Sequence, residues 1–111
     1  HYTPAGDVII VTGSAQGAAH YIRSRLGPQD RVLCFQEELN LYPQGSALAY
    51  GSASAPETLA QGLFAALREL DRSDIKTIYA RCPVGGGVTY AVANRLKKAA
   101  GFHMVEGDDI P

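Results

Sequence analysis

The amino-acid sequence predicts an α/β fold, a small three-layer α/β/α sandwich with a mostly parallel sheet of four or five strands. Short runs of apolar, β-branched residues alternate along the chain with longer segments that have the apolar spacing of a helix. The first run, residues 8–11, is apolar at every position, so both of its faces should be buried, as in a parallel sheet. Because parallel strands need crossover connections, the intervening helices should cover the faces of that sheet.

Five segments are strand candidates because they are short, apolar and bounded by turn residues. In chain order they are residues 8–11, 32–35, 47–50, 75–80 and 102–105. Between the second and third of them, a polar stretch at residues 37–45 contains Pro43 and Gly45 and predicts a loop.

Three segments have helical spacing. The first covers residues 15–26, with Ala18, Ala19, Ile22 and Leu26 on one face. The second starts at the capping-box pair Ser54 and Glu57, ends near residues 71–74, and has an apolar stripe of Leu59, Leu63, Leu67 and Leu70. The third covers residues 88–100, is ended by Gly101, and has a predicted core face of Val88, Val92, Leu96 and Ala99. Alternation of this kind is typical of a Rossmann-like domain.

The composition describes one globular domain. The chain has 111 residues, of which 46% are apolar and 19% charged. Its net charge of −1 gives no reason to expect strong direct binding to nucleic acid or to an anionic membrane. No apolar run approaches the roughly 20 residues that a transmembrane helix needs. The chain begins with His1 rather than methionine, so we expect it to be cut from a longer protein.

The two cysteines and three histidines predict neither a disulfide framework nor a metal site. Cys34 lies inside an apolar run and is interpreted as a small core residue. Cys82 follows a strand candidate, with Arg81 as its basic neighbour in sequence. The cysteines and histidines lack metal-ligand spacing, and two cysteines in a domain of this size favour a reducing, cytoplasmic location.

Two glycine loops are the candidate binding sites. Gly13 and Ser14 follow the first strand candidate, and Gly85, Gly86 and Gly87 follow the fourth; each loop precedes a helix. In a parallel sheet such loops meet at the carboxyl edge, and amides at a helix start suit an anion or a nucleotide phosphate. The alternative is that these glycines only allow tight turns, since neither loop is a dinucleotide or P-loop fingerprint.

The remaining polar residues have ordinary interpretations. The acidic residues in loops and turns are expected to be solvated: Glu37, Glu38, Asp71, Asp74, Asp108 and Asp109. Arg95, Lys97 and Lys98 form a basic face on the last helix, which is either solvated or a docking surface. A small hydrolase with Ser14 or Cys82 as nucleophile has only the position of these residues at strand ends in its favour.

Three stretches, in order, resemble a known family. They are His1-Tyr2-Thr3-Pro4, the helical residues 63–71, and residues 85–101 with Asn94-Arg95-Leu96. Together they are similar to the C-terminal Rossmann-like accessory domain of two-domain threonylcarbamoyl-AMP synthases, the Sua-type relatives of YrdC. In that family the linker ends in a run like Arg-His-Tyr-Ala-Pro, from which Thr3 departs at the alanine.

The resemblance implies a non-catalytic accessory domain, with residues 1–6 as the end of an interdomain linker and 7–105 as the domain. Residues 106–111 are acidic and predict a loose tail. It implies a YrdC-like catalytic domain in cis, where ATP and magnesium bind and threonylcarbamoyl-AMP is made from threonine, bicarbonate and ATP. That product serves the N6-threonylcarbamoyladenosine (t6A) modification of tRNA, so tRNA would be met only through the pathway. No catalytic residue carries over to this chain, and His1 and Tyr2 become candidate lid residues over the missing active site. The alternative is a small nucleotide- or anion-binding α/β module that uses the two glycine loops.

Overall fold

In the computed structural model, which describes residues 4–109, five strands form one all-parallel sheet with the order β3-β2-β4-β1-β5. The strands are β1 (Asp7–Thr12), β2 (Asp30–Cys34), β3 (Ala47–Ala49), β4 (Thr77–Ala80) and β5 (Met104–Glu106). The helices are α1 (Ala15–Arg25), α2 (Pro56–Glu69) and α3 (Val88–Ala99), with 3₁₀ helices at Gln36–Leu41 and Gly107–Asp109. The prediction of an α/β fold with a mostly parallel sheet is confirmed.

Strand β1 is buried on both faces, as its unbroken apolar run predicts. It lies between β4 and β5, where Ile10 pairs with Ala80 on one side and Met104 on the other. Ile10 packs into the core beneath α2 and α3, whereas its neighbour Val11 packs into the core beneath α1. Successive side chains of a strand point to opposite faces, so one apolar run contributes to both cores.

The core therefore has two parts, one on each face of the sheet. The leucine stripe of α2 is buried as predicted, together with Ile78 and Leu96. On the other face, Ala18, Ala19 and Ile22 of α1 pack against Val11 and Val32. The small alanines let α1 approach the sheet closely, and the apolar contacts on both faces hold the three layers together.

The predicted start of α2 is wrong in one detail. Its N-cap is Ala55, which makes no side-chain capping bond, and Pro56 occupies the first turn. Ser54 does not cap the helix, because its hydroxyl interacts with Ser52 and with the carboxylate of Glu37. The Ser54–Glu57 pair is therefore not a capping box here.

The predicted core face of α3 is rotated at its first turn. Val88 is 47% exposed, and Thr89 is buried in its place at 8% exposure. Val92, Leu96 and Ala99 are buried as predicted. The helix begins at Val88 with its N-cap at Gly87, so the direction of the first side chains depends on how the glycine loop enters the helix.

Two segments predicted as loop and loose tail carry structure. Residues 36–41 of the first form a 3₁₀ helix, and Glu38 within it is buried. Residues 106–109 of the predicted tail continue the fold, because Glu106 pairs with Thr12 at the end of β5 and a 3₁₀ helix follows. A Cβ on Gly107 would lie 2.9 Å from the Cα of Ala18, so this segment sits tightly against α1. Residues 110 and 111 lie outside the described part of the chain. Within residues 4–109, no helix is long and apolar enough to cross a membrane.

The close approach of α2 to the end of β3 gives a testable prediction. A Cβ on Gly62 would overlap the carbonyl oxygen of Tyr50, which belongs to the backbone and cannot rotate away. We expect Gly62→Ala to lower the free energy of unfolding by about 2 kcal/mol despite the better helix propensity of alanine. Urea unfolding followed by circular dichroism measures the change.

The matched control is Gly86→Ala, because a Cβ at Gly86 meets no atom within 4 Å. It should change the free energy of unfolding by less than about 0.5 kcal/mol. Equal effects of the two substitutions would contradict the close packing of α2 on Tyr50.

Candidate functional site at the carboxyl edge of the sheet

The carboxyl edge of the sheet brings the two glycine loops side by side. Strand β4 is the direct neighbour of β1, so the loop after β4 begins next to Gly13 and Ser14. The crossover from β1 to β2 passes over β4, and the crossover from β4 to β5 passes over β1. The connections that follow β1 and β4 therefore run in opposite directions along the sheet. Open parallel sheets bind ligands at this kind of position.

Arg81, the first residue after β4, connects these loops from within the protein. The residue is 6% exposed. Its Nη1 donates to the carbonyl oxygen of Val11 at 2.6 Å, and its Nη2 donates to that of Gly13 at 2.8 Å. Its Nε lies 3.2 and 3.3 Å from the two carboxylate oxygens of Glu38. The backbone oxygen of Arg81 accepts a 2.6 Å hydrogen bond from the hydroxyl of Tyr50.

The interpretation of Glu38 as a solvated loop residue is therefore wrong. Glu38 is 6% exposed and faces the guanidinium of Arg81 from the 3₁₀ helix after β2. A buried carboxylate is strongly destabilising unless an opposite charge compensates it, and Arg81 supplies that charge. Sequence reasoning had one usable signal here, because an arginine directly after a buried strand is an unusual place for a solvated charge.

The first glycine loop already binds an oxyanion, and that oxyanion belongs to the chain. The amide of Ser14 donates to Asp108 Oδ2 at 2.8 Å, and its hydroxyl donates to Oδ1 at 2.7 Å. The amide of Gly17 donates in turn to the Ser14 hydroxyl oxygen at 3.0 Å, which caps α1. These bonds, with that of the Ser14 hydroxyl foremost, lower the pKa of the Asp108 carboxyl.

The glycines of this loop have a structural explanation. Gly13 has a φ of +103°, and a Cβ there would lie 2.5 Å from a carboxylate oxygen of Glu106. A Cβ on Gly17 would overlap Asp108. Binding of an external anion at Gly13 and Ser14 stays a prediction, and such an anion would have to displace Asp108.

Among residues 4–109, the second glycine loop has no comparable acidic partner, and it opens into a cleft. Gly85 and Gly87 have φ values of +151° and +61°, and a Cβ on Gly86 or Gly87 would meet no atom within 4 Å. No side chain caps α3, which begins directly after Gly87. Beside the loop lies a cleft of about 430 Å³, bounded by the ends of β1 and β4 and by one side of α3.

The geometry does not favour Cys82 or Ser14 as a nucleophile. Burial raises the pKa of the Cys82 thiol, which donates to the carbonyl of Pro83 at 3.6 Å. Burial raises the pKa of Cys34 to about 12, in agreement with a core position. The hydroxyl of Ser14 donates to a carboxylate rather than to a histidine base.

Glu37 is a loop residue with hydrogen-bond partners inside the protein. Exposed Glu37 bonds the hydroxyl of Ser52 and the amide of Ala53, and these bonds, the first foremost, lower its pKa to about 2. Among residues 4–109, no group of three or more His, Cys, Asp or Glu side chains could hold a metal ion. The candidate lid residues His1 and Tyr2 lie outside the described residues, so their role stays a prediction.

The fold and the carboxyl edge of the sheet together define the class of protein. It is a small all-parallel α/β domain whose sheet edge has the geometry of a ligand-binding position, and one of the two loops at that edge is hydrogen-bonded to Asp108 of the same chain. The chain belongs to the family described as the C-terminal domain of threonylcarbamoyl-AMP synthase, which matches residues 1–101. The resemblance read from the sequence is thereby confirmed.

Two curated relatives cover nearly the whole chain. The threonylcarbamoyl-AMP synthase of Bacillus subtilis (strain 168) is 33% identical over 107 residues, which are 95% of this chain and 31% of the relative. That of Pyrococcus abyssi (strain GE5 / Orsay) is 30% identical over 112 residues, with 96% and 31% covered. The chain thus spans about a third of the length of these relatives.

Solved structures give the same match. P. abyssi Sua5 complexed with L-threonine is 27% identical, has a TM-score of 0.73, and is matched over 96% of this chain and 31% of that one. A variant of the same protein, with an adjacent histidine and tyrosine replaced by alanine, is 27% identical with a TM-score of 0.75 and coverages of 93% and 30%.

The buried ion pair predicts a large loss of stability when one partner is removed. We expect Arg81→Met to lower the free energy of unfolding by about 3–5 kcal/mol, because Glu38 and two backbone carbonyls lose their partner. Chemical unfolding measures it. The matched control is Arg72→Ala, which breaks the exposed Arg72–Asp74 pair and should leave the unfolding midpoint unchanged. Similar midpoints for both variants would contradict the role of Arg81.

The Asp108–Ser14 contact predicts a local acid transition. Because the pKa of Asp108 is lowered in the folded state, the contact stabilises the fold above the unfolded pKa of about 3.9 and is lost as the pH falls through the lower folded value. The amide resonance of Ser14 should therefore titrate below pH 3.9. It should not titrate in Asp108→Asn, and in Ser14→Ala the pKa of Asp108 should rise. An unchanged titration of the Ser14 amide in Asp108→Asn would refute the assignment.

Proposed function

We propose that the domain acts as the non-catalytic accessory part of an L-threonylcarbamoyladenylate synthase. The whole protein would make threonylcarbamoyl-AMP from threonine, bicarbonate and ATP for the t6A modification of tRNA, in the cytoplasm. The observation that carries this proposal is that the chain belongs to the C-terminal domain family and spans only about 31% of relatives that have this name. The catalytic work would lie in a YrdC-like domain in cis.

The chemistry of the described residues is consistent with an accessory role. Three charged groups of the edge have internal partners, since Arg81 pairs with Glu38 and the Asp108 carboxylate accepts hydrogen bonds from Ser14. Charges held in this way fix loop geometry and are not free to move protons. ATP and magnesium would bind in the YrdC-like domain, as the resemblance to the family implies.

We further propose that His1 and Tyr2 help to close the active site of that domain. A lid completes a site and excludes water, so its residues can affect turnover without carrying out the chemistry. An adjacent histidine and tyrosine are also the residues that were changed to alanine in the P. abyssi variant.

The first test is the coding sequence before His1. We expect it to encode a YrdC-like domain, and its absence would overturn the proposal. The second test is formation of threonylcarbamoyl-AMP by the complete gene product and by the 111-residue chain alone, with threonine, bicarbonate, ATP and magnesium. Product should form only with the complete protein, and activity of the 111-residue chain alone would contradict a non-catalytic role.

The same assay tests the lid. Replacing His1 and Tyr2 by alanine in the complete protein should lower kcat by roughly tenfold or more without a change in melting temperature. Arg72→Ala, at an exposed ion pair of the domain, serves as the control with unchanged kcat. A double-alanine variant with full activity would remove the lid from the proposal.

A further inference from the structure

The cleft beside the second glycine loop is large enough for a small ligand. Its volume of about 430 Å³ falls in the range of small-molecule sites. Helix α3 contributes one continuous face to it, with Thr89, Ala93 and Lys97 spaced four residues apart. Tyr90, which is exposed, and Met104 of β5 add apolar surface.

Thr89 is the residue that singles out this cleft. It is 8% exposed, lines the cleft, and its hydroxyl has no hydrogen-bond partner in the described part of the chain. The hydroxyl oxygen lies 3.8 Å from the position that a Cβ would take on Gly85, so it is next to the glycine loop. The Thr89 hydroxyl is not among the fully buried polar atoms that lack a partner, so it faces the cleft, where it is a free donor for a ligand.

The charges around Thr89 favour an anion. Thr89 lies in the first turn of α3, a twelve-residue helix whose start no side chain caps. The amides and the positive dipole end of such a helix favour negative charge. Lys97 lies two turns further along the same face, and no carboxylate is among the described residues that line the cleft. Arg81 also lines the cleft, but Glu38 compensates its charge.

The neighbouring loop gives an example of an oxyanion bound at the start of a helix. At Ser14, a hydroxyl in front of a helix start holds the carboxylate of Asp108 through two hydrogen bonds. The loop at residues 85–87 has the same order of strand, glycine loop and helix, with a hydroxyl at Thr89 and with no acid bonded to it from residues 4–109. The second loop therefore combines a helix start with a hydroxyl, and this hydroxyl lies in the first turn of α3 rather than at its N-cap, which is Gly87.

We propose that this cleft binds a small phosphate monoester with an aromatic group, of nucleoside monophosphate size. The phosphate lies against the Thr89 hydroxyl and the first amides of α3, with Lys97 as the counter-charge. The aromatic group packs on the apolar surface of Tyr90 and Met104. This site belongs to the accessory domain itself and does not depend on which reaction the complete protein catalyses.

The test is isothermal titration calorimetry of the 111-residue chain with AMP, adenosine and inorganic phosphate. AMP should bind, and adenosine and inorganic phosphate should each bind about tenfold or more weakly, because each lacks one half of the contacts. Thr89→Val and Lys97→Met should each weaken AMP binding by roughly fivefold or more. Thr89→Ser keeps the hydroxyl and should retain binding, and Lys98→Met is the matched lysine control outside the cleft.

Amide chemical shifts locate the ligand independently. Addition of AMP should shift the amides of residues 85–90 and leave that of Ser14 in place. The proposal is overturned by an absence of AMP binding at about 10 mM, by unchanged affinity in Thr89→Val and Lys97→Met, or by shifts centred on Ser14. Equal affinity for AMP and inorganic phosphate would also overturn it, because the aromatic group would then make no contact.

Discussion

The buried pair of Arg81 and Glu38 is the interaction on which the carboxyl edge depends. It connects three pieces of chain that are distant in sequence: the end of β4, the 3₁₀ helix after β2, and the carbonyl groups of Val11 and Gly13 at the end of β1. Taking a guanidinium and a carboxylate out of water costs several kcal/mol per ion, so the pair is favourable only with good geometry and further hydrogen bonds. Arg81 has these, since two of its nitrogens donate to backbone oxygens. The pair thus fixes where the loops begin.

Held in this way, the two glycine loops differ in one respect that matters for function. At the first loop the chain folds back from β5 and places Asp108 on Ser14, which satisfies the start of α1 from within. At the second loop no acid of the described part of the chain is in an equivalent position, and the start of α3 faces a cleft with the free hydroxyl of Thr89. The same order of strand, glycine loop and helix therefore leads to a closed structural loop in one case and an open candidate site in the other.

Periodicity predicted most of the fold correctly because it reports burial directly. The unbroken apolar run of β1 and the leucine stripe of α2 could be read from the sequence, since the 2.0 and 3.6 residue periods relate each side chain to a face. Three of the errors lie where a polar group has a distant partner. Ser54 did not cap α2 because Glu37 holds it, Glu38 was not solvated because Arg81 holds it, and residues 106–109 were not loose because Asp108 holds Ser14. Each partner is more than 15 residues away, or in a different element, and no local pattern indicates it.

By itself, the sequence determined the fold class, the strand and helix segments, the position of the glycine loops at one sheet edge, and the family. These depend on local apolar spacing and on short motifs, which survive without knowledge of three-dimensional contacts. Only the tertiary structure decided which loop is filled, that Arg81 and Glu38 are buried together, and that Thr89 rather than Val88 turns inward. Those outcomes depend on hydrogen bonds and charges between segments that come together only on folding. Because a polar group that is buried without a partner costs free energy, each such group depends on the one partner that the tertiary structure places within its reach.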